Sequence, residues 1–134
     1  CRKAIESPNN GEIEVWGTGE QTRSFLFIED CLDAISIFMN NEDFIGPVNI
    51  GSEEMITINN LARLAINFSE KKIIIKNIQG QDFIKKYGFK CPIGVNGRNS
   101  NNTLFKEKMN WEPSVSLLKG LRKTYNWIQK QHYV

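Results

Sequence analysis

A single histidine, His132, stands in the 134 residues, close to the C-terminal end. One imidazole so placed does not support a Ser-His-Asp triad or a histidine metal centre. Cys1, Cys31 and Cys91 give an odd cysteine count with no C-x-x-C pair, which indicates neither a disulfide framework nor a zinc site. Reduced thiols in the cytoplasm are the corresponding expectation. G-x-G-x-x-G and G-x-x-x-x-G-K-[ST] are both missing, so the chain has no recognisable dinucleotide or P-loop cradle. No apolar run approaches the ~20 residues that span a bilayer, and no apolar signal-peptide segment follows Cys1. Neither sign of charge dominates: 17 Lys and Arg face 15 Asp and Glu, for a net +2. That balance argues against a dedicated nucleic-acid or membrane-surface binder.

What is present is ordinary globular material, 40% hydrophobic and 24% charged, enough for one domain or one lobe of a larger protein. The opening Cys-Arg-Lys-Ala-Ile reads as the end of a helix, and the text as a piece of a longer protein. Residues 12–16 (Glu-Ile-Glu-Val-Trp) alternate polar and apolar, a strand signal with Ile13 and Val15 on one face. Gly17-Thr18-Gly19 supplies turn chemistry. A second extended run, Arg23 to Ile28, places Phe25 and Phe27 together. Residues 29–41 change to helical spacing, with Ile28, Leu32, Ile35 and Phe38 recurring every three or four residues and Glu29 and Asp30 suited to the N-terminus.

Val48-Asn49-Ile50 predicts a short strand. Thr57 caps a predicted helix to about Phe68 with Leu61, Ala65 and Phe68 inward. Residues 71–78 predict a β-branched strand. Residues 79–102 lack a period and read as a long loop, of the kind that is functional or mobile. A short helix over 103–110 and a final one from Ser116 to about Gln131 follow, the latter with Leu117, Leu121, Thr124 and Ile128 on one face. The order is β-β-α-β-α-β-loop-α-α. Trp111 and Trp127 read as core packing, and Lys71-Lys72 and Lys85-Lys86 as solvated faces. The sequons at Asn67 and Asn101 read as chance triplets.

Two polar segments could carry chemistry. In Gln21-Thr22-Arg23-Ser24 the fork-shaped guanidinium of Arg23 suits bidentate binding of a phosphate, the alternative being a solvated edge-strand arginine. In Gly94-Val95-Asn96-Gly97-Arg98-Asn99-Ser100-Asn101-Asn102, glycines free the backbone to approach a ligand, Arg98 adds charge, and Asn and Ser add donors ahead of a helix. An Asn-rich surface turn with a capping Asn describes that segment equally well. Glu53-Glu54 has no neighbouring group that suggests acid-base work.

Five segments together resemble a known family: Cys1-Arg2-Lys3-Ala4; Val15 through Phe25; Pro47 through Met55; Gly94 through Ser100; and Leu104 through Trp111. In order and spacing they are similar to the C-terminal part of extended short-chain dehydrogenase/reductase proteins that modify nucleotide sugars. The resemblance implies an α/β chain, residues 1–134 being the nucleotide-sugar-binding portion beside the edge of a Rossmann-like sheet. It implies NAD bound by a separate N-terminal domain, NAD-dependent epimerisation as the activity, and a homodimer for the full-length enzyme. Among substrates it favours GDP-mannose. Residues matching Lys3, Gln21, Thr22, Arg23 and Arg98 contact the nucleotide sugar in that family, chiefly at its diphosphate and nucleoside end.

The family's glycine-rich NAD loop, its Tyr-x-x-x-Lys pair and its acid-base Cys and Lys would all lie upstream of Cys1, so no catalytic, cofactor-binding or metal-binding residue is assigned here. Three departures bear on the substrate. Asn96 stands where the family carries Arg, Asn101 stands where it carries Asp beside Arg98, and Gln81 to Cys91 reads as an insertion between Gly80 and Pro92. The alternatives are another epimerase, decarboxylase or dehydratase of the same superfamily, or a non-catalytic binding or interaction module.

Overall fold

A computed structural model describes residues 1–92 and 94–132; the side chain of His132 lies outside the described residues. The elements run α1 (Arg2–Glu6), β1 (Glu12–Trp16), β2 (Thr22–Ser24), α2 (Ile28–Met39), β3 (Met55–Thr57), α3 (Ile58–Ser69), β4 (Ile74–Ile78), α4 (Gly80–Tyr87), β5 (Gly97–Arg98), α5 (Thr103–Met109) and α6 (Leu117–His132). The α/β expectation holds, with two small sheets. β1 pairs with β4 in parallel, and a second sheet has the order β3-β2-β5.

The alternation of β1 turns Ile13 and Val15 inward. Ile13 joins Ala4 and Ile5 of α1, Ala65 and Ile66 of α3 and Tyr125 of α6 in the first core, with Ile73 and Ile75 packed on its margin. Thr57 caps α3 as the sequence predicts, accepting the Asn60 N–H at 3.1 Å. The strand expected over 71–78 starts at Ile74, because the Lys72 backbone is bonded to the preceding loop: its N–H donates to Asn9 Oδ1 at 2.8 Å and its carbonyl accepts from the Asn10 N–H at 2.7 Å. Lys71 Nζ donates to the carbonyls of Ile5 and Ser7 at 2.6 and 2.8 Å, where α1 ends. Lys71 is therefore a helix C-terminal partner and not the solvated lysine expected.

The second core gathers Ala34, Phe105 and Trp111, with Leu26, Ile37, Phe38, Val48 and Ile50 against it. Val48-Asn49-Ile50 forms no strand; its apolar side chains pack into this core. Helix α2 has the predicted period, but of the recurring apolar set only Phe38 meets the second core. Ile28, Leu32, Ile35 and Met39 are exposed, while Asp30 and Ala34 are buried. Polar bonds set that rotation. Asp30 accepts from the Ser114 N–H and hydroxyl and the Val115 N–H, and Asp33 accepts from Trp111 Nε1 at 2.9 Å. Burial works against the charge on Asp30, yet the Ser114 and Val115 bonds outweigh it and hold the carboxyl below its ordinary range.

Three further expectations change. The extended run after Arg23 stops at Ser24, leaving Phe25 exposed and Phe27 against Gly120 of α6. On α6, Tyr125 and not Thr124 fills the inner face, and Trp127 is exposed, not packed. The expected loop over 79–102 contains α4 and β5. Phe83 of α4 is fully buried and meets the edge of Trp16 with centroids 5.1 Å apart; Tyr87 and Phe89 complete the cluster. Glu14 fastens α4 to β1, accepting from Lys86, Tyr87 and Trp16. Lys86 is thus paired, not merely solvated.

These bonds, that from Lys86 first and that from Tyr87 next, bring the Glu14 pKa down from 4.5 to about 2. A depressed carboxylate pKa stabilises the fold above the unfolded value and is lost as pH falls through the folded one. Acid titration of tryptophan fluorescence should therefore show a step between pH 4.5 and about 2 that Glu14→Gln removes; an unchanged curve in that variant would deny the fastening role. Phe105→Ala, which empties a fully buried site in the second core, should cost about 3–5 kcal/mol in urea unfolding.

Candidate functional site

The two arginines singled out in the sequence meet on one sheet. β2 pairs with β5 in parallel, with Thr22 opposite Gly97 and Arg23 opposite Arg98. Directly opposed residues of a parallel pair point to the same face, so both guanidinium side chains leave the sheet together. Like charges so placed repel. Among the described residues the ion pairs are Lys76–Glu12, Lys86–Glu14, Lys106–Glu112 and Lys123–Glu29, and none of them neutralises either arginine.

Local bonds fix each half of the pair. Arg23 Nη1 donates to the Thr22 carbonyl at 2.7 Å, which bends the guanidinium back along β2. A Cβ at Gly94 would come within 3.2 Å of Arg23 Nη2, so this glycine lets the chain pass close over the arginine. Thr22 N–H donates to the Asn96 carbonyl at 2.8 Å, joining the loop to the strand. Beyond β5, the buried Asn102 donates to the Gly51 carbonyl at 2.8 Å and accepts from Ser100 Oγ at 2.6 Å, while its N–H donates to Glu53 at 3.3 Å. Asn101 accepts from the Thr103 N–H at the start of α5. Glu54 accepts from the Leu117 N–H at the start of α6. Glu53 and Glu54 therefore act as backbone anchors.

At the β1–β2 turn lies a cleft of about 640 Å³, lined by Gly17, Thr18, Glu20, Gln21, Gln79, Gly80, Cys91 and Asn96; neither arginine lines it. Gln21 Oε1 is buried without a hydrogen-bond partner among the described residues, and a buried acceptor left without one is costly. Lys3 sits elsewhere: its Nζ donates to the Glu14 carbonyl at 2.7 Å, and it lines an apolar cavity of about 400 Å³ between α1, β1 and α3. The structure thus groups Gln21, Thr22, Arg23 and Arg98 and places Lys3 on a neighbouring cavity.

Asn59 is the organiser that sequence reasoning missed. It is buried, and its amide donates to the Thr18 carbonyl and to Glu20 while accepting from Asn77. Its position at the start of α3, among apolar neighbours, was the available signal. Gly19 has φ +73°, and a Cβ there would lie 2.1 Å from Asn59 Oδ1. Asn59 therefore fills the Gly17–Gly19 turn, and these residues do not fit a dinucleotide. Among the described residues no acidic, cysteine or histidine cluster could hold a metal, and no helix is long and apolar enough to cross a membrane.

Residues 2–51 match the model of the NAD dependent epimerase/dehydratase family. Over 131 residues the chain is 45% identical to GDP-mannose 3,5-epimerase of Arabidopsis thaliana, covering 98% of this chain and 31% of that protein. It is 34% identical over 133 residues to GDP-L-fucose synthase 1 of the same plant, covering 96% and 37%. A solved UDP-glucose 4-epimerase from Thermotoga maritima, with UDP-glucose, superimposes with a TM-score of 0.71 at 25% identity over 97% of this chain and 38% of that one. The fold is thus that of extended short-chain dehydrogenase/reductase epimerases, and the chain spans about a third of the length of the relatives it matches.

Asn102→Ala removes the side-chain bonds to Gly51 and Ser100 that hold the chain just after β5. It should destabilise the chain by about 1–3 kcal/mol in urea unfolding. Gly19→Ala, which drives a methyl group into Asn59, should lower the melting temperature more than Gly46→Ala, whose Cβ would make only ordinary contact with Phe44; equal shifts would deny the close packing of the turn.

Proposed function

We propose that this chain, similar over nearly its whole length to nucleotide-sugar epimerases of the NAD dependent epimerase/dehydratase family, clamps the diphosphate of a nucleotide sugar in such an enzyme. GDP-mannose is the substrate we favour. The observation that supports the reading is the in-register pairing of Arg23 with Arg98. Two unneutralised guanidinium groups on one face lower their mutual repulsion by sharing an anion. A diphosphate offers oxygens spaced for two such forks.

The preference for GDP rests on the relatives at 45% and 34% identity, whose names both carry that nucleotide. Gln21 stands next to the clamp in the chain, and Thr22 fixes its backbone through the bond to the Asn96 carbonyl. Lys3 would reach the substrate from the adjoining cavity. Gripping the part of a substrate that does not react orients the part that does, and lets remote binding energy serve the chemical step. In the whole enzyme NAD would occupy a separate domain and supply the redox chemistry. A homodimer in the cytoplasm is the corresponding assembly. The isolated chain, with no acid-base pair at the clamp, would bind without turnover.

A second reading keeps the clamp and changes the nucleotide. The likeness to the Thermotoga UDP-glucose 4-epimerase favours a UDP-sugar. A thermal-shift panel of GDP-mannose, UDP-glucose and dTDP-glucose separates the two, because a ligand that binds only the folded chain raises its melting temperature. GDP-mannose should give the largest rise; a larger one with UDP-glucose would select the second reading. Arg98→Ala should weaken GDP-mannose binding by roughly tenfold to a hundredfold, in keeping with about 1.5–3 kcal/mol for hydrogen bonds to charged groups. Unchanged affinity in that variant would remove the clamp.

A further inference from the structure

We infer that Asn59 is a positioning residue that acts through Glu20: its buried amide holds the Glu20 carboxylate, so that this acid does not take the place of a diphosphate on the arginine pair. This rests on reading Arg23 and Arg98 as a diphosphate clamp, and it names what keeps that clamp free for an anion.

Glu20 is the acidic residue nearest in the chain to either arginine. It stands three positions before Arg23, whereas the acid nearest to Arg98 is Glu107, nine positions on. Three residues of extended chain span at most about 11 Å, and both side chains are long. A carboxylate and a phosphate compete for the same fork of guanidinium donors. An unrestrained Glu20 would therefore be drawn to the arginine that the substrate needs. Yet the ion pairs among the described residues include neither Glu20 nor either arginine. Glu20 is engaged by Asn59 instead, whose Nδ2 donates to Glu20 Oε1 at 2.9 Å. An amide is neutral, so it satisfies the carboxylate without adding a charge of its own.

Asn59 can hold Glu20 because it is itself held. It is 6% exposed. Its Nδ2 also donates to the Thr18 carbonyl at 3.0 Å, and its Oδ1 accepts from Asn77 Nδ2 at 3.1 Å. Its backbone N–H donates to the Gly19 carbonyl at 2.9 Å, and the Ile58 N–H donates to the Gln21 carbonyl at 3.1 Å. Asn77 takes the Gly17 carbonyl at 3.2 Å. The carbonyls of Gly17, Thr18, Gly19 and Gln21 are thus fixed from β4 and from the start of α3. The backbone that carries Glu20 into β2 has one course, and on it the carboxylate meets Asn59. Removing the Asn59 amide has two separable effects. It loosens the turn whatever stands at position 20, and it frees a negative charge close to the pair.

Calorimetric titration of the chain with inorganic pyrophosphate, with melting temperatures taken on the same samples, tests the inference. Glu20→Gln keeps an acceptor for Asn59 and removes the charge. Glu20→Asp keeps the charge on a side chain one methylene shorter, and both changes fall at an exposed position. Asn59→Ala and Glu20→Asp should each weaken pyrophosphate about fivefold at low ionic strength, and less as salt screens the charge. Glu20→Gln should stay within about twofold of the unaltered chain. Asn59→Ala combined with Glu20→Gln should recover the affinity while melting as low as Asn59→Ala alone. Equal weakening in Asn59→Ala and in the combined variant would overturn the inference, by showing that Asn59 acts through the fold only. Glu20→Asp binding as well as Glu20→Gln would overturn it too, and decides the matter if Asn59→Ala does not fold. If the unaltered chain binds no pyrophosphate, or Arg98→Ala binds it equally well, the clamp reading itself fails and this role of Asn59 with it.

Discussion

Two arginines, seventy-five positions apart in the chain, stand opposite one another on neighbouring parallel strands. Left alone that arrangement is unfavourable, since like charges leave one side of a sheet and none of the ion pairs among the described residues involves either of them. The rest of the β3-β2-β5 half can be understood as what keeps the pair together. β2 is three residues long and has a partner on each side, so neither arginine can swing away without breaking ladder bonds. Asn96 ties the loop to β2 from one end, and Asn102 anchors the chain to Gly51 and Glu53 from the other.

Polar side chains do much of this work because the sheet itself is small. Asn59, Asn102 and Asp30 are all buried, and each bonds backbone groups distant in the chain. A buried amide or carboxylate left unpaired is costly, so each one specifies a single arrangement of the segments it joins. Apolar burial supplies the two cores; these polar contacts decide how the cores are rotated relative to the loops. Helix α2 illustrates the point. Its apolar stripe of Ile28, Leu32, Ile35 and Met39 stays exposed, because Asp30 and Asp33 bond the segment around Trp111 and Ser114.

On the proposed reading, the chain's part would be binding and orientation, which need charge, donors and a shaped cleft. The chain covers about a third of each relative it matches.

By itself the sequence determined the local events. Alternation in Glu12 through Trp16, the Thr57 cap, the helical period after Phe27 and the candidate arginines are all matters of near neighbours, where spacing and side-chain chemistry act over one or two turns. Long-range partners were beyond it. That Lys71 would cap α1, that Val48 and Ile50 would enter a core without forming a strand, that residues 80–87 would be a helix nailed to β1 by Glu14, and which stripe of α2 would face inward each depended on a contact with a distant segment. Periodicity tells which residues share a face, but not which face finds a partner. The tertiary structure alone decided that, and with it the convergence of Arg23 and Arg98, because a strand register is a relation between two stretches of chain and is written in neither one.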